Sequence, residues 1–357
     1  TYLSRESMTK KFDADRNQGR NIDTKFETRF SVGSYLAHQG NKFVERFDAN
    51  SYIAISTAID NYDLGSTPEE LQKNLRRSMC RWLILSFKTD WLFPPDLTKE
   101  IADALLGLGK RVNYCNIPSV GGHDSFLLPE NFELYGGMIR NFLDSVSFEK
   151  NEDDVLPFAH PDRLDYEQIL DLIPKGAKVL DLGCGKGGLL ARLKLRDTVN
   201  VLGIEIKEQY VFQCIERGID VVQQDLNDGL KPFGDKQFDF VVLSKTLQTV
   251  KDVEFVLNEM LRVGTRCIVS FPNVGYYAHR KRLAEDGLAP CPDHGSDAVT
   301  WYNTDDTRYL TLSDFENFCV EKGFRIHHCI PLDTRQHKPV ESGPNLNADV
   351  VIVVISG

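Results

Sequence analysis

Two side chains in separate loops have the residue types and the setting that acid–base chemistry needs. Asp90 follows the apolar run RWLILSF (81–87), and His123 follows RVNYCNI (111–117) in the loop SVGGHDSF. Reacting groups in parallel α/β sheets gather at the carboxyl ends of strands, so these two loops are expected to meet. A carboxylate that accepts the Nδ1 proton of an imidazole lets Nε2 take a proton from a hydroxyl. The alternative is a solvated turn acid and an unrelated surface histidine.

A second series of residues has the pattern of a nucleotide-binding turn. Glycines after the predicted strand AKVLDL permit a tight turn and close approach of the backbone to a ligand, and the following helix offers amide donors. The acid that closes the next strand is placed to bind a pair of ribose hydroxyls, and a third acid closes the strand after it. The series consists of Asp181, Gly183, Gly185, Gly187, Glu205 and Asp225. The alternative is that these acids are strand-end caps on a scaffold that binds nothing.

The elements that would position Asp90 and His123 form a first predicted domain, residues 1–147. Residues 1–77 are charge-rich and helical, with YIAIS as the only candidate strand. The run 81–87 is typical of a parallel strand buried on both faces, and it opens a core over about 78–147. A helix over 96–110 with a glycine stop, a strand over 111–117 and a closing helix over 129–146 complete that core.

A charged segment with two prolines and little periodicity, residues 148–168, predicts a linker and entry segment. Beyond it, residues 169–357 alternate between apolar strands and amphipathic helices. This alternation predicts a doubly wound, Rossmann-like sheet with helices on both faces, so the whole chain is of the α/β class.

Three segments of the first domain are similar in sequence to one enzyme family. YLAHQGNKFVERFDANSYIAISTAIDNYDLG, TDWLFPPDLTKEIADAL and GGHDSFLLPE resemble, in order, the C-terminal part of homoserine O-acetyltransferases. The resemblance implies an α/β-hydrolase fold, present as a helical lid (about 1–77) and the last strands. It also implies that Asp90 and His123 are the acid and the base of a Ser-Asp-His triad that transfers an acyl group from acetyl-CoA to the hydroxyl of L-homoserine.

The same resemblance implies residues that hold the amino-acid substrate. Asp124 matches the family's aspartate directly after the histidine, and Arg46 and Tyr52 are the candidates for its arginine and tyrosine. An Arg fork and an Asp can pair the carboxylate and the ammonium of homoserine. Without the family, Arg46 is equally a helix-surface ion-pair partner and Tyr52 a core aromatic.

The chain departs from that family at the nucleophile. No Gly-x-Ser-x-Gly elbow occurs in its 357 residues. The expectation is therefore that the serine lies in a portion N-terminal to this chain, and that the chain alone is inactive. The choice between an acetyl and a succinyl donor stays open, because donor selection could lie in that portion.

The second domain resembles two nested groups. DLGCGKG with its strand-end acids is typical of class I S-adenosylmethionine-dependent methyltransferases, with an NAD-binding unit as the rival reading. VLSKTLQTVKD and VSFPNVGYYAHRKRL resemble the MetW proteins of methionine biosynthesis over about residues 160–357. The fusion and the intact glycine turn lead to the hypothesis that this domain is a regulator or partner of the acyltransferase and senses S-adenosylmethionine. The alternatives are a methyltransferase acting on a small molecule and a non-catalytic partner module.

Charge and composition limit the classes of partner that are expected for this chain. A net charge of -10 without a basic cluster predicts no nucleic-acid binding. No apolar run approaches the roughly 18 residues of a membrane-spanning helix, so no membrane and a cytoplasmic location are expected. Scattered cysteines indicate free thiols. Cys291 and His294, with His327, His328 and Cys329, are interpreted as a chance cluster, so no metal is expected. The open edge of a half sheet predicts a homo-oligomer.

Overall fold

The computed structural model describes residues 3–12, 30–147, 163–196, 200–290, 304 and 306–357. The chain divides into two compact units. Unit 1 consists of Thr1–Cys80, Ile84–Lys110 and Asn116–Gly137, and unit 2 of Arg81–Leu83, Arg111–Cys115 and Met138–Gly357.

Unit 1 begins with helices. They are α1 (Arg5–Phe12), α2 (Ser31–Arg46), α3 (Ala49–Asp60) and α4 (Pro68–Leu75). The expectation of a strand at YIAIS is wrong, because these residues lie inside α3. The side chain of Asp48 accepts a hydrogen bond from the Ser51 amide at 2.9 Å and so starts a helix there, and this N-cap outweighs the weak strand preference of the β-branched residues.

The elements that carry the first site follow in the predicted order. They are β1 (Trp82–Phe87), α5 (Pro95–Gly107), β2 (Val112–Ile117), a 3₁₀ turn (Gly122–Leu127) and α6 (Pro129–Ser147). The Lys88 amide donates to the Ile117 carbonyl at 2.9 Å, so the carboxyl ends of β1 and β2 lie side by side. The expected burial of β1 on both faces is wrong for this chain, since only Ser86 of that strand is buried.

Unit 2 alternates between strands and helices as predicted. Its helices of at least four residues are α7 (Leu164–Leu172), α8 (Gly188–Leu195), α9 (Glu208–Glu216), α10 (Val253–Val263), α11 (Tyr277–Lys281), α12 (Leu312–Lys322) and α13 (Pro344–Asn347), with a π-helical turn at Arg282–Asp286. Its strands are β3 (Lys178–Leu182), β4 (Asn200–Glu205), β5 (Val221–Gln223), β6 (Phe238–Ser244), β7 (Gly264–Pro272), β8 (Arg325–Asp333), β9 (Lys338–Pro339) and β10 (Val350–Ser356).

The strands of unit 2 lie in the order β5-β4-β3-β6-β7-β10-β8-β9. The first five are parallel, and β10 runs antiparallel to both β7 and β8. The apolar residues Leu180, Val241, Ile268 and Val353 have no exposed surface, so the core lies along the centre of this sheet. The doubly wound α/β expectation is confirmed, with a mixed rather than a wholly parallel sheet.

Some of the predicted features involve residues outside the described ranges. Residues 148–162 of the predicted linker lie outside them, while α7 begins at Leu164, inside the range 148–168. Cys291 and His294 also lie outside them, and His327, His328 and Cys329 lie on β8. In the described part of the chain, no helix combines the length and the apolar character needed to cross a bilayer.

Candidate functional site

The first site pairs an acid and a histidine from the two loops at the ends of β1 and β2. Nδ1 of His123 lies 3.0 Å from Oδ2 of Asp90. Asp90 is buried, with 8% of its surface exposed, and the His123 side chain is 18% exposed. The structure therefore brings together the two side chains that the sequence places in separate loops.

The Asp90 carboxylate is fixed by the backbone that follows it. Its Oδ1 accepts hydrogen bonds from the amides of Leu92 and Phe93, at 2.9 and 3.0 Å. These two bonds hold one oxygen, and the other faces the imidazole. An imidazole whose Nδ1–H donates to a carboxylate has its basic nitrogen at Nε2, which is the arrangement of a general base.

The loops are locked around the His123 ring. Thr89 Oγ1 donates to the Ser119 carbonyl at 2.7 Å and accepts from the Gly122 amide at 3.0 Å. The rings of Phe93 and Phe126 meet the imidazole edge-on, with centroids 5.1 and 5.4 Å away. The imidazole is therefore held in one orientation by a carboxylate on its Nδ1 side and by two aromatic rings.

The three predicted substrate residues have different settings. Asp124 is half-buried in the same 3₁₀ turn as His123. Arg46 is exposed at the end of α2, with its guanidinium 5.9 Å from the ring of Phe47, and Tyr52 on α3 is 51% exposed. The turn thus places Asp124 next to His123, and the substrate roles of Asp124, Arg46 and Tyr52 stay predictions.

The second site is a cavity of about 560 Å³ in unit 2, a volume within the usual range for small-molecule pockets. It lies at the carboxyl ends of β3, β4, β5 and β6, where ligands bind in open α/β sheets. Its lining includes Gly183, Gly185, Glu205, Asp225, Lys245 and Thr246. Four of the six residues predicted for this site therefore line one cavity.

The glycine turn has the tight geometry that the sequence predicts. Gly183 has a φ of +69°, and a Cβ at this position would lie 2.6 Å from the Thr246 side chain. Gly187 does not line the cavity. It caps the N-terminus of α8 at a φ of +76°, and a Cβ there would lie 2.6 Å from Ile219. A larger residue at either position would require the neighbouring side chain to move and would strain the backbone at its positive φ.

The strand-end acids already bind backbone amides. Glu205 accepts from the Gly185 amide at 2.9 Å and from the Lys207 amide at 2.8 Å. Asp225 accepts from the Asn227 amide at 2.9 Å. Each acid therefore acts as a cap as well as a wall of the cavity, and Glu205 ties the glycine turn to the end of β4.

Asp181 differs from the other acids because it is buried at 3% exposure and does not line the cavity. Burial, reinforced by the charge of Glu205 and opposed by Arg163, raises the pKa of Asp181 to about 8. Its Oδ1 has no hydrogen-bond partner in the described part of the chain. Desolvation favours the protonated, neutral form of such a carboxyl group.

Lys245 and Thr246 line the cavity but were missed in the sequence. Lys245 has a φ of +50°, which is uncommon for a residue other than glycine. Its Nζ lies 3.5 Å from Oδ2 of Asp165, which is itself bound by Arg163. Their position is the one feature that could have identified them, because in VVLSKT both residues directly follow β6.

The order of the unit 2 strands, the glycine turn after β3, the acids at the ends of β4 and β5 and the antiparallel β10 together define the class I S-adenosylmethionine-dependent methyltransferase fold. Within this class, the family model for methionine biosynthesis protein MetW matches residues 163–355. The chain belongs to the MetW family.

Relatives extend the likeness to the N-terminal part. A bifunctional methionine biosynthesis protein MetXA/MetW of Rhodopirellula baltica is 42% identical over 99% of this chain and 58% of the relative. A homoserine O-acetyltransferase of Leptospira biflexa is 43% identical over 41% of the chain and 37% of the relative. A homoserine O-succinyltransferase of Acinetobacter baylyi is 40% identical over 43% of the chain and 40% of the relative. The chain thus joins a MetW domain to an N-terminal part that is similar to homoserine acyltransferases, and it spans little more than half of the bifunctional relative.

Proposed function

We propose that the complete protein transfers an acyl group from acyl-CoA to the hydroxyl of L-homoserine, and that Asp90 and His123 are its acid and base. The observation that carries this proposal is the 3.0 Å contact between His123 Nδ1 and a buried carboxylate whose second oxygen is already held by two amides. The likeness to relatives named homoserine acyltransferases supports the choice of substrate.

The proposed reaction has two steps that share one base. In the first, His123 Nε2 takes the proton of a serine hydroxyl as the serine oxygen attacks the thioester carbonyl, and the coenzyme A thiolate leaves with that proton. In the second, Nε2 takes the proton of the homoserine hydroxyl as its oxygen attacks the acyl-serine ester. The serine then leaves and receives the proton back from His123. The serine of this proposal is not among the residues of the chain.

Asp124 is proposed to bind the ammonium group of homoserine, because it is adjacent to His123 in the 3₁₀ turn. Arg46 is proposed to bind the carboxylate and Tyr52 to contact the same substrate, as the resemblance to the acyltransferase family implies. A charge-assisted pair at each end of the amino acid would orient its side-chain hydroxyl toward the base.

The test is release of coenzyme A by the protein purified from its native source, with acetyl-CoA or succinyl-CoA as donor. Thiol release that requires homoserine supports the proposal, and the faster donor identifies the acyl group. A His123→Gln variant should lose this activity while its thermal unfolding stays that of the parent. Homoserine-dependent release that survives in this variant would refute the role of His123.

For unit 2, we propose that the cavity binds an S-adenosyl compound and that this ligand regulates the acyltransferase. Glu205 would hold the ribose hydroxyls, and the backbone of Gly183 and Gly185 would lie against the ligand. S-adenosylmethionine is an end product of methionine synthesis, which makes it a sensible feedback signal. Calorimetric titration of the chain with S-adenosylmethionine tests the binding step, and absence of binding would refute it. Methyl transfer to a small molecule would instead identify unit 2 as an enzyme.

We also propose that the protein forms a homo-oligomer through the lid of unit 1. Helix α3 has no buried residue, and Ile53 and Ile59 on it are 61% and 67% exposed. An apolar helix of this kind is usually covered by a partner. Light scattering at several concentrations tests this, with a mass above that of one chain as the expected result.

A further inference from the structure

A lysine, Lys245, lines the unit 2 cavity at the end of β6, the strand next to β3 and its glycine turn. Lys245 is the residue directly after β6, and its side chain is 24% exposed. A Cβ at Gly183 would touch Thr246, so the end of β6 and the glycine turn are in direct contact. Lys245 therefore lines the same cavity as the turn.

Lys245 makes a loose ion pair within a cluster of charged side chains. Asp165, whose side chain is 1% exposed, is bound by Arg163 through two nitrogens. The Lys245 contact with Asp165 is looser, at 3.5 Å. Asp349 also acts on Lys245 and favours its charged form, so two carboxylates face the two cations and the Lys245 ammonium is only loosely paired. Burial, opposed by the charge of Asp165, holds the pKa of Lys245 below its usual value, so an anion beside the ammonium would stabilise its charged form.

The backbone of Lys245 points to a ligand-facing role. Its φ of +50° belongs to a region that side chains larger than glycine rarely adopt. The Lys245 amide donates to the Ser270 carbonyl at 2.8 Å, so neighbouring β7 holds this conformation. Residues that retain such an energetically unfavourable backbone conformation are concentrated at functional sites.

The spacing of the strands sets the distance between this cation and the ribose acid. Glu205 ends β4, Lys245 follows β6, and β3 with the glycine turn lies between them. Two strand spacings separate their ends by about 10 Å. An adenosyl ligand with its ribose at Glu205 would cross the glycine turn and bring the far end of its amino-acid tail to β6.

We propose that Lys245 binds the carboxylate of the ligand's amino-acid tail, so that the cavity distinguishes S-adenosyl amino acids from nucleosides that lack this group. The inference rests on the proposed binding of an S-adenosyl compound and adds the group that recognises its carboxylate. No bond to carbon forms or breaks in this role, which is recognition alone.

The experiment compares two thioether nucleosides by calorimetric titration of the full chain. S-adenosylhomocysteine carries the amino-acid tail, and 5′-methylthioadenosine has the same nucleoside and sulfur without the carboxylate. Lys245→Met should weaken S-adenosylhomocysteine at least tenfold, as expected for loss of a charge-assisted hydrogen bond, and leave 5′-methylthioadenosine within twofold. Lys245→Arg, which keeps the cation, should retain most of the affinity for S-adenosylhomocysteine.

Two further variants control the comparison. Lys231→Met removes an exposed lysine that does not line the cavity and should change neither affinity. Lys245→Asn removes the cation with a residue that tolerates the left-handed backbone, so it should repeat the Lys245→Met result if that variant folds poorly. Equal weakening of both nucleosides, or none, would overturn the role of Lys245. If the unsubstituted chain binds neither nucleoside, the S-adenosyl proposal itself fails, and this inference fails with it.

Discussion

Replacing Asp90 by Asn in the complete protein changes a single atom of the proposed catalytic pair. The Asn side-chain oxygen can still accept from the Leu92 and Phe93 amides, which bind Asp90 Oδ1 at 2.9 and 3.0 Å. Its amide nitrogen then occupies the position of Oδ2, 3.0 Å from His123 Nδ1. Because that nitrogen donates, Nδ1 must accept, and the imidazole proton moves to Nε2.

A neutral imidazole protonated at Nε2 has no lone pair there to accept the proton of a hydroxyl. In hydrolases with the same triad, this substitution lowers turnover about 10⁴-fold. A loss of that size corresponds to about 5 kcal/mol of activation free energy. Asp90→Asn should therefore reduce homoserine-dependent release of coenzyme A by about four orders of magnitude, with little change in the unfolding temperature, since the side chains have the same shape.

The assay is coenzyme A release by the purified complete protein at saturating homoserine. Asp96→Asn is the matched control, because Asp96 is exposed in the first turn of α5, and its activity should stay within twofold of the parent. If Asp90→Asn keeps more than a tenth of the parent activity, Asp90 does not set the tautomer of His123. The reading of the pair as an ordinary turn acid and a nearby histidine would then be preferred.

Two further predictions concern unit 2. The pKa of Asp181 is about 8 in the folded chain against 3.8 for the free side chain, so the folded state binds the extra proton, and stability should fall as pH rises between these values. Asp181→Asn should remove this loss. The unfolding free energy of the variant, measured by chemical unfolding, should therefore rise relative to that of the parent as pH rises, by at most about 1.4 kcal/mol per pH unit. A gain that is the same at pH 5 and pH 8 would contradict this. Asp220 is buried between Arg81 and Arg111 at 2.7 and 2.8 Å, so Asp220→Ala should cost about 3–5 kcal/mol of unfolding free energy in urea. The control Asp235→Ala, at a 78% exposed partner of Arg262, should cost less than about 1 kcal/mol.

The sequence was sufficient for features that depend on local pattern. Alternating apolar runs predicted the strands and helices of unit 2, and the glycine series predicted the turn, because a tight turn after a buried strand needs residues without Cβ. Asp90 and His123 could be paired in advance, since consecutive parallel strands bring their following loops to one edge of a sheet.

Features that depend on distant neighbours were not predictable. The apolar sequence DVVIVVIS predicts a strand but not the direction of that strand. Only the pairing with β7 and β8 shows that β10 runs antiparallel to both. Lys245 was missed because its conformation and its partner Asp165 are set by the folded chain. The helix over YIAIS was not predicted because the local preferences for helix and for strand are both weak there. The hydrogen bond of the Asp48 side chain at the N-terminus favours the helix.

The most direct test of the proposed acyltransferase is to find the acylated residue. The complete protein would be mixed with acetyl-CoA or succinyl-CoA without homoserine, quenched in acid, digested and analysed by peptide mass spectrometry. The expected result is one acyl group on a serine outside the present chain, which disappears when homoserine is added before the quench and does not form in His123→Gln. The absence of any acyl-serine, or an acyl group that forms equally well without His123, would contradict the assignment of Asp90 and His123 as the acid and base of acyl transfer.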